Sequence, residues 1–204
     1  ELIDKLRDSN RTVRQLVQDE LRRRGEAAAE SLAALKELVK QAEGSLAVEA
    51  LWAIAAQGKF DESFVPLLEH PQPEVRRWTI RLACDDGDVS ADFAKKLAEL
   101  AYREPDAEVR SQLASSARRL PVPQTLAIVA QLVKRSEDVK DPHLPLLLWW
   151  GVETHAAKER DAILKMLAAE PTLWDQPLFR EHLAERLMRR YAATGQRADL
   201  VTCA

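Results

Sequence analysis

Pro105-Asp106-Ala107-Glu108-Val109-Arg110 is the stretch that decides the fold, because the chain writes it more than once. It recurs as Pro71-Gln72-Pro73-Glu74-Val75-Arg76 and as Ser9-Asn10-Arg11-Thr12-Val13-Arg14. A looser copy, Glu43-Gly44-Ser45-Leu46-Ala47-Val48, keeps the valine and loses the arginine. Each copy joins a turn signal to a helix N-cap, with acidic residues favoured in the first turn, where the helix dipole suits them. The valines fall 27 to 35 residues apart. That period marks stacked helix pairs, in which no pair buries its apolar faces alone.

Working outward, each junction separates a first helix from a second. A truncated helix ending near Arg7 precedes Thr12–Arg24. Glu26–Gln41 pairs with Ser45–Gln57, Phe60–Glu69 with Pro73–Asp85, and Ser90–Tyr102 with Ala107–Leu120. Gln124–Lys134 then pairs with Asp141–His155, and Ala157–Ala169 with Pro177–Ala193; Ala198 opens a further unit. Gly25, Gly58, Gly87 and Gly195 sit just past helix ends, as C-terminal caps do. Strand-like alternation is missing from the sequence. The expected fold is therefore all-α: one domain over 1–204, a right-handed α-α superhelix of about six helix pairs.

The buried side of each helix follows from its spacing. Val75, Trp78, Thr79 and Leu82 share one face, as do Val109, Leu113, Ala117 and Leu120. Asp141–His155 is different. Asp141 suits an N-cap and Pro142 a first helical position. Beyond them Leu144, Leu146, Leu147, Leu148, Trp149, Trp150 and Val152 cover every direction of the helix. The run is too short to span a bilayer. It reads as a middle layer of a larger assembly or as a face awaiting a partner.

Composition bounds the rest. Hydrophobic residues make up 46% of the chain and charged ones 31%, enough for both a core and a solvated surface. A net charge of −3 argues against a general nucleic-acid coat. Cys84 and Cys203 are too few for a disulfide framework or a zinc site. The chain starts at Glu1 without Met and stops at Cys203-Ala204, which reads as a piece of a longer protein.

The Pro-x-Val-Arg and Pro-Asp-Ala-Glu-Val-Arg junctions resemble HEAT repeats over essentially the whole chain. A narrower resemblance covers about Leu67 to Ala204, carried by Leu68-Glu69-His70-Pro71-Gln72-Pro73-Glu74-Val75-Arg76-Arg77-Trp78, Ser116-Ala117-Arg118-Arg119-Leu120-Pro121, Asp141–Trp150 and Glu185–Gly195. These segments look like the HEAT-repeat part of large planctomycete-type multidomain proteins. In that family a dehydrogenase-like β-propeller precedes the repeats and a haem-binding cytochrome c domain follows. The resemblance implies an exported, periplasmic protein whose parent is a haem-containing oxidoreductase. The present chain has neither a Cys-x-x-Cys-His motif nor a propeller, so no cofactor and no catalytic role passes to any residue in it.

Three residue sets remain as candidates. Arg14, Arg76 and Arg110 follow the repeat valine; recurrence in register favours a structural ladder over an anion-binding groove. Arg77, Arg81, Arg118, Arg119, Arg186 and Arg190 lie on second helices, which line the concave side of such a stack, so a basic face fits there. Trp78 among them resembles the aromatic face of HEAT-like alkylpurine DNA glycosylases, yet it falls on the side assigned to the core. Leu147, Trp149, Trp150 and Glu153 are the docking candidates, since desolvated aromatic anchors dominate interfaces. Adjacent tryptophans differ by about 100° around a helix, so only one of the two faces a given neighbour. His143, His155 and His182 lack metal-ligand spacing, and Asp85-Asp86-Gly87-Asp88 reads as a helix end and turn. The expected function is a non-catalytic scaffold that positions flanking domains or a protein partner, with a nucleic-acid module as the alternative.

Overall fold

Scarce glycine and a 3.6-residue apolar period give helix throughout. The computed structural model describes residues 2–24, 29–58 and 60–203, and among these there is no strand. The chain divides into two compact units, Glu1–Ala83 and Cys84–Ala204.

In the first unit a 3-10 turn, Ile3–Arg7, precedes α1 (Arg11–Arg24), α2 (Ala29–Gln41) and α3 (Ser45–Ala56). A second 3-10 stretch, Glu62–Glu69, leads into α4 (Pro73–Ala83). The second helices α1, α3 and α4 pack in chain order, and α2 lies along α3. Helix α3 is the centre of this unit. Ala47, Ala50, Leu51, Ala53 and Ile54 are all fully buried, the alanines allowing close approach by the neighbouring helices. Burying a leucine or isoleucine there contributes about 1.5–3 kcal/mol.

The second unit runs α5 (Ala91–Arg103), α6 (Ala107–Ala117), α7 (Val122–Leu132), α8 (Leu144–Ala156), α9 (Arg160–Ala169), α10 (Glu185–Ala192) and α11 (Arg197–Thr202). Contacts α5–α7 and α7–α9 build a layer of first helices. Contacts α6–α8 and α8–α10 build the facing layer of second helices. Leu97, Leu113, Leu132, Leu148 and Ile163 fill the space between the layers with no exposed surface.

The structure moves several expected boundaries. Glu62–Glu69 winds as a 3-10 helix because Pro66 lies inside it. A proline there has no N–H and its ring crowds the carbonyl of an α turn. Short 3-10 stretches, Ser136–Asp138 and Pro171–Asp175, occupy what reads in the sequence as linker. In Pro177–Ala193, residues Phe179–Ala184 take a π-helical turn before α10 begins. Helix α8 starts at Leu144, not at Asp141, with His143 at the N-cap. On α4 the expected Val75 and Thr79 are buried, but so are Arg76 and Ile80, while Trp78 and Leu82 are only partly covered. Gly58, Gly87 and Gly195 do lie just past helix ends with φ of 65°, 74° and 65°. The expected cap at Gly25 and helix start at Glu26 lie outside the described residues.

Candidate functional site

Two features of the second helices stand out: how their arginines are used at the turns, and what one of them leaves uncovered. The turn between first and second helix is built the same way three times. It opens with Asp8, His70 or Glu104, each the C-cap of the helix before it, with (φ, ψ) of (−61°, 137°), (−61°, 138°) and (−62°, 118°). The side chain of this opening residue accepts the N–H two positions on: Asn10 N to Asp8 at 2.8 Å, Gln72 N to His70 Nδ1 at 3.2 Å, Asp106 N to Glu104 at 3.0 Å. The third residue starts the next helix; Asn10 accepts from Thr12 N and Asp106 from Val109 N.

The seventh residue of each corner is the repeat arginine. Its Nη1 donates to the carbonyls of the first and second corner residues. Arg14 reaches Asp8 O at 2.8 Å and Ser9 O at 3.1 Å. Arg76 reaches His70 O at 2.8 Å and Pro71 O at 3.2 Å. Arg110 reaches Glu104 O at 3.0 Å and Pro105 O at 2.8 Å. The chain leaves its helix here, so these carbonyls have no intrahelical donor, and one guanidinium satisfies both.

The remaining guanidinium nitrogens tie one pair to the next. Arg14 Nε donates to Glu49 on α3 at 2.7 Å, and Glu49 also accepts from Gln18 at 2.7 Å. Arg110 forks onto Asp138, Nε at 2.6 Å and Nη2 at 2.5 Å, with both side chains only 4% exposed. The Asp138 carboxylate hydrogen-bonded to it raises the Arg110 pKa further above its ordinary value, so the guanidinium keeps its charge. Nothing local in the sequence marks Asp138 as a partner. Glu49 has a faint signal, since it stands directly after the valine in the copy that lacks arginine.

A fourth corner, Asp141–Leu147, keeps the frame without the clamp. Asp141 Oδ1 accepts from His143 N and from Leu144 N, both at 2.8 Å. Burial works to raise the Asp141 pKa, but the Leu144 and His143 amides outweigh it and hold the carboxyl below its usual range. The seventh residue is Leu147. Helix α8 turns Leu144, Pro145, Leu148, Gly151 and Val152 inward. Gly151 packs on Val129 and Thr125 of α7, where an added Cβ would stand 3.6 Å and 3.7 Å from their methyl groups. Outward it leaves Leu146 (36% exposed) and Trp150 (40% exposed). Trp149 is half-buried.

Leu147 and Trp150 meet the end of α6. Together with Ser115, Arg118 and Arg119 they line a cleft of about 300 Å³. The structure thus brings members of two separate candidate sets to one place. No family model, curated protein or solved structure matches the chain. The cleft is therefore read from its own chemistry.

Arg119 pairs with Asp85 at 2.9 Å, while the Arg118 guanidinium has no partner among the described residues. One helix further, Glu153 on α8 lies 3.8 Å from Arg190 on α10, and Arg186 is exposed. In the first unit, Arg81 sits over Trp78 at 5.9 Å, and Trp78 meets Trp52 edge-on at 4.7 Å. Trp78 is thus largely taken up by other side chains, and Arg77 beside it is half-buried. Ser115 is the cleft residue that no signal in the sequence singles out.

A second, polar hollow of about 580 Å³ lies between α9, α10 and α11, lined by Arg160, Tyr191, Thr194 and Asp199 among others. Asp199 accepts from Thr194 Oγ1 at 2.6 Å and from Arg160 Nη1 at 2.5 Å, and these bonds lower its pKa. Burial pushes Tyr191 up to about 12, so its phenol stays protonated. Cys84 is likewise pushed up to about 12 by burial, which leaves an unreactive thiol.

Proposed function

We propose that the chain is a HEAT-like, non-catalytic scaffold: a right-handed α-α superhelix of about six helix pairs acting as a single domain. In this reading it resembles the helical middle of large planctomycete-type multidomain proteins, exported and set between redox domains. Arg14, Arg76 and Arg110 are its structural ladder, fixing each corner so that the stack holds flanking domains at a set distance. Its second-helix layer docks a protein partner or a neighbouring domain of the same protein, with Leu147, Trp149, Trp150 and Glu153 on the docking helix.

The observation that carries the docking reading is the outward side of α8. Apolar side chains at Leu146 and Trp150 stay 36% and 40% exposed on a helix whose Leu144, Leu148 and Val152 are buried. Half-exposed tryptophan on a rigid helix is the chemistry of an interface anchor. The test is site-specific photo-crosslinking in the cells that make the protein, with a benzophenone amino acid at position 150 and, as control, at the exposed Ala127 of α7. A discrete adduct from position 150 and none from 127 supports docking through α8. No adduct, or the same adducts from both positions, removes it.

The nucleic-acid reading keeps one supporting observation, an Arg118 beside Trp150 with no partner among the described residues. Asp85 and Glu153 flank that spot, and the chain's net charge is −3. A duplex-DNA titration over a salt series would show weak binding on the scaffold reading.

A further inference from the structure

The cleft between α6 and α8 has a chemistry that narrows its partner. We infer, resting on the docking reading above, that it takes an acidic linear segment of a partner protein in which a carboxylate lies beside a large apolar side chain.

Charge comes first. Among the described residues the cleft lining holds two arginines, one serine, one leucine and one tryptophan, and no acid. The nearby acids are engaged: Asp85 with Arg119 and Glu153 with Arg190. Arg118 is exposed and its guanidinium is free among the described residues. The Arg119–Asp85 pair is also open to solvent, 38% and 45% exposed, so exchanging Asp85 for an incoming carboxylate costs little. Both arginines stand at the C-terminal end of α6, where the dipole already favours cations. A carboxylate entering here meets two guanidiniums with planar donor edges, the geometry that carboxylates prefer.

Shape gives the second half. Leu147 and Trp150 form an apolar wall directly beside those donors. At about 300 Å³ the cleft is at the bottom of the range for small-molecule pockets, so it suits one or two side chains and not a cofactor. An acid next to a leucine- or phenylalanine-sized residue fills both halves at once.

The cleft is also held in place. Arg119 N donates to Ser116 O at 3.0 Å, and the buried Ser116 accepts from Gln112 at 2.9 Å. Gly87, at φ 74°, lies so close that a Cβ there would stand 3.0 Å from Arg119 O. The backbone bearing both arginines is thus clamped from two sides. Binding then orders little more than the partner's own side chains, which favours a short segment over a large interface.

The test is fluorescence anisotropy with labelled peptides of equal length. One alternates Glu or Asp with Leu and Phe. A second replaces its acids by Lys, and a third replaces its apolar residues by Ser. A single-stranded DNA oligonucleotide is the fourth probe. The expected result is saturable binding of the first peptide, at least about tenfold tighter than the others. Arg118→Glu and Trp150→Ser should each weaken it about tenfold with the circular dichroism spectrum unchanged, and Arg118→Lys by an intermediate factor, since lysine keeps the charge and loses the planar donor edge. Four results overturn the inference: no binding of the acidic–apolar peptide, equal binding of the lysine peptide, tighter binding of DNA that the same variants weaken, or acidic-peptide binding that neither variant changes. The docking reading fails separately. A position-150 adduct to a segment without acids keeps docking and sinks this inference, whereas no adduct and no peptide binding sink both.

Discussion

The corner at Glu104–Arg110 and the corner at Asp141–Leu147 follow one another in the same unit and reverse the chain with the same opening. Each starts with an acid whose side chain takes the N–H two residues on, and each has proline second. They differ at the seventh position. Arg110 is turned inward, onto two carbonyls and buried Asp138. Leu147 looks toward the cleft. The comparison teaches that the reversal itself does not need the arginine. What the arginine adds is a tie between successive pairs, and where it is missing the helix is free to roll and show an apolar side. The roll is visible in the burial pattern: the sixth residue is buried at Val109 and exposed at Leu146.

The strongest way to break the comparison is Arg110→Met. It leaves the 4%-exposed Asp138 without its cation and two carbonyls without a donor. Losing one partner of a buried ion pair costs about 3–5 kcal/mol, read as a lower urea midpoint. Adding Asp138→Leu to that variant should recover a large part of the loss, because the uncompensated charge is then gone. A double variant no better than the single one would mean that the carbonyl bonds carry the stability.

Arg14→Met is the milder version. Arg14 is 20% exposed, and Glu49 keeps Gln18 as a second donor. The expected loss is about 1–2 kcal/mol. A loss equal to that of Arg110→Met would show that burial is not what separates the two corners.

Asp141→Ala tests the arginine-free frame. It removes the cap on two amides, for about 1 kcal/mol near neutral pH. The folded-state pKa of Asp141 is lowered, so its contribution is present above the ordinary carboxylate value and fades as pH falls through the folded value. The gap between wild type and variant in thermal melts should therefore close in acid. A gap that persists unchanged at the lowest pH would assign the effect to backbone freedom.

Leu147→Arg sharpens the contrast with the smallest effect. If packing of Leu144, Leu148 and Val152 sets the roll of α8, the new arginine cannot reach the corner carbonyls, and stability changes by less than about 0.5 kcal/mol. A clear gain would show that the seventh residue sets the roll.

Much of this was legible from residue order. The Pro-x-Val-Arg copies located the corners, and the second helices begin at or within three residues of where the apolar period places them, except the last, where a π-helical turn delays α10 to Glu185. Val109, Leu113 and Ala117 of α6 are buried as expected, with Leu120 just past its end, but Arg110, Ala114 and Ser116 are buried too. The face of α4 is shifted from the expected one, since Arg76 and Ile80 are buried while Trp78 and Leu82 are only partly covered. A buried arginine is invisible to hydrophobic periodicity until its carbonyl partners are known. The start of α8 was misplaced for a related reason. Asp141 does cap amides, but from three residues ahead of Leu144, and spacing alone does not separate a cap from a corner.

The residue order by itself determined that this is an all-helical chain of recurring pairs, because turn chemistry and 3.6-residue periodicity act over a few neighbours. Only the tertiary structure decided which arginine meets which acid 28 or 35 residues away. It alone decided that Trp150 faces out while Leu148 faces in. Those choices depend on how each helix rolls against its neighbours, and that roll is settled by packing volume summed across the layers, which no local stretch encodes.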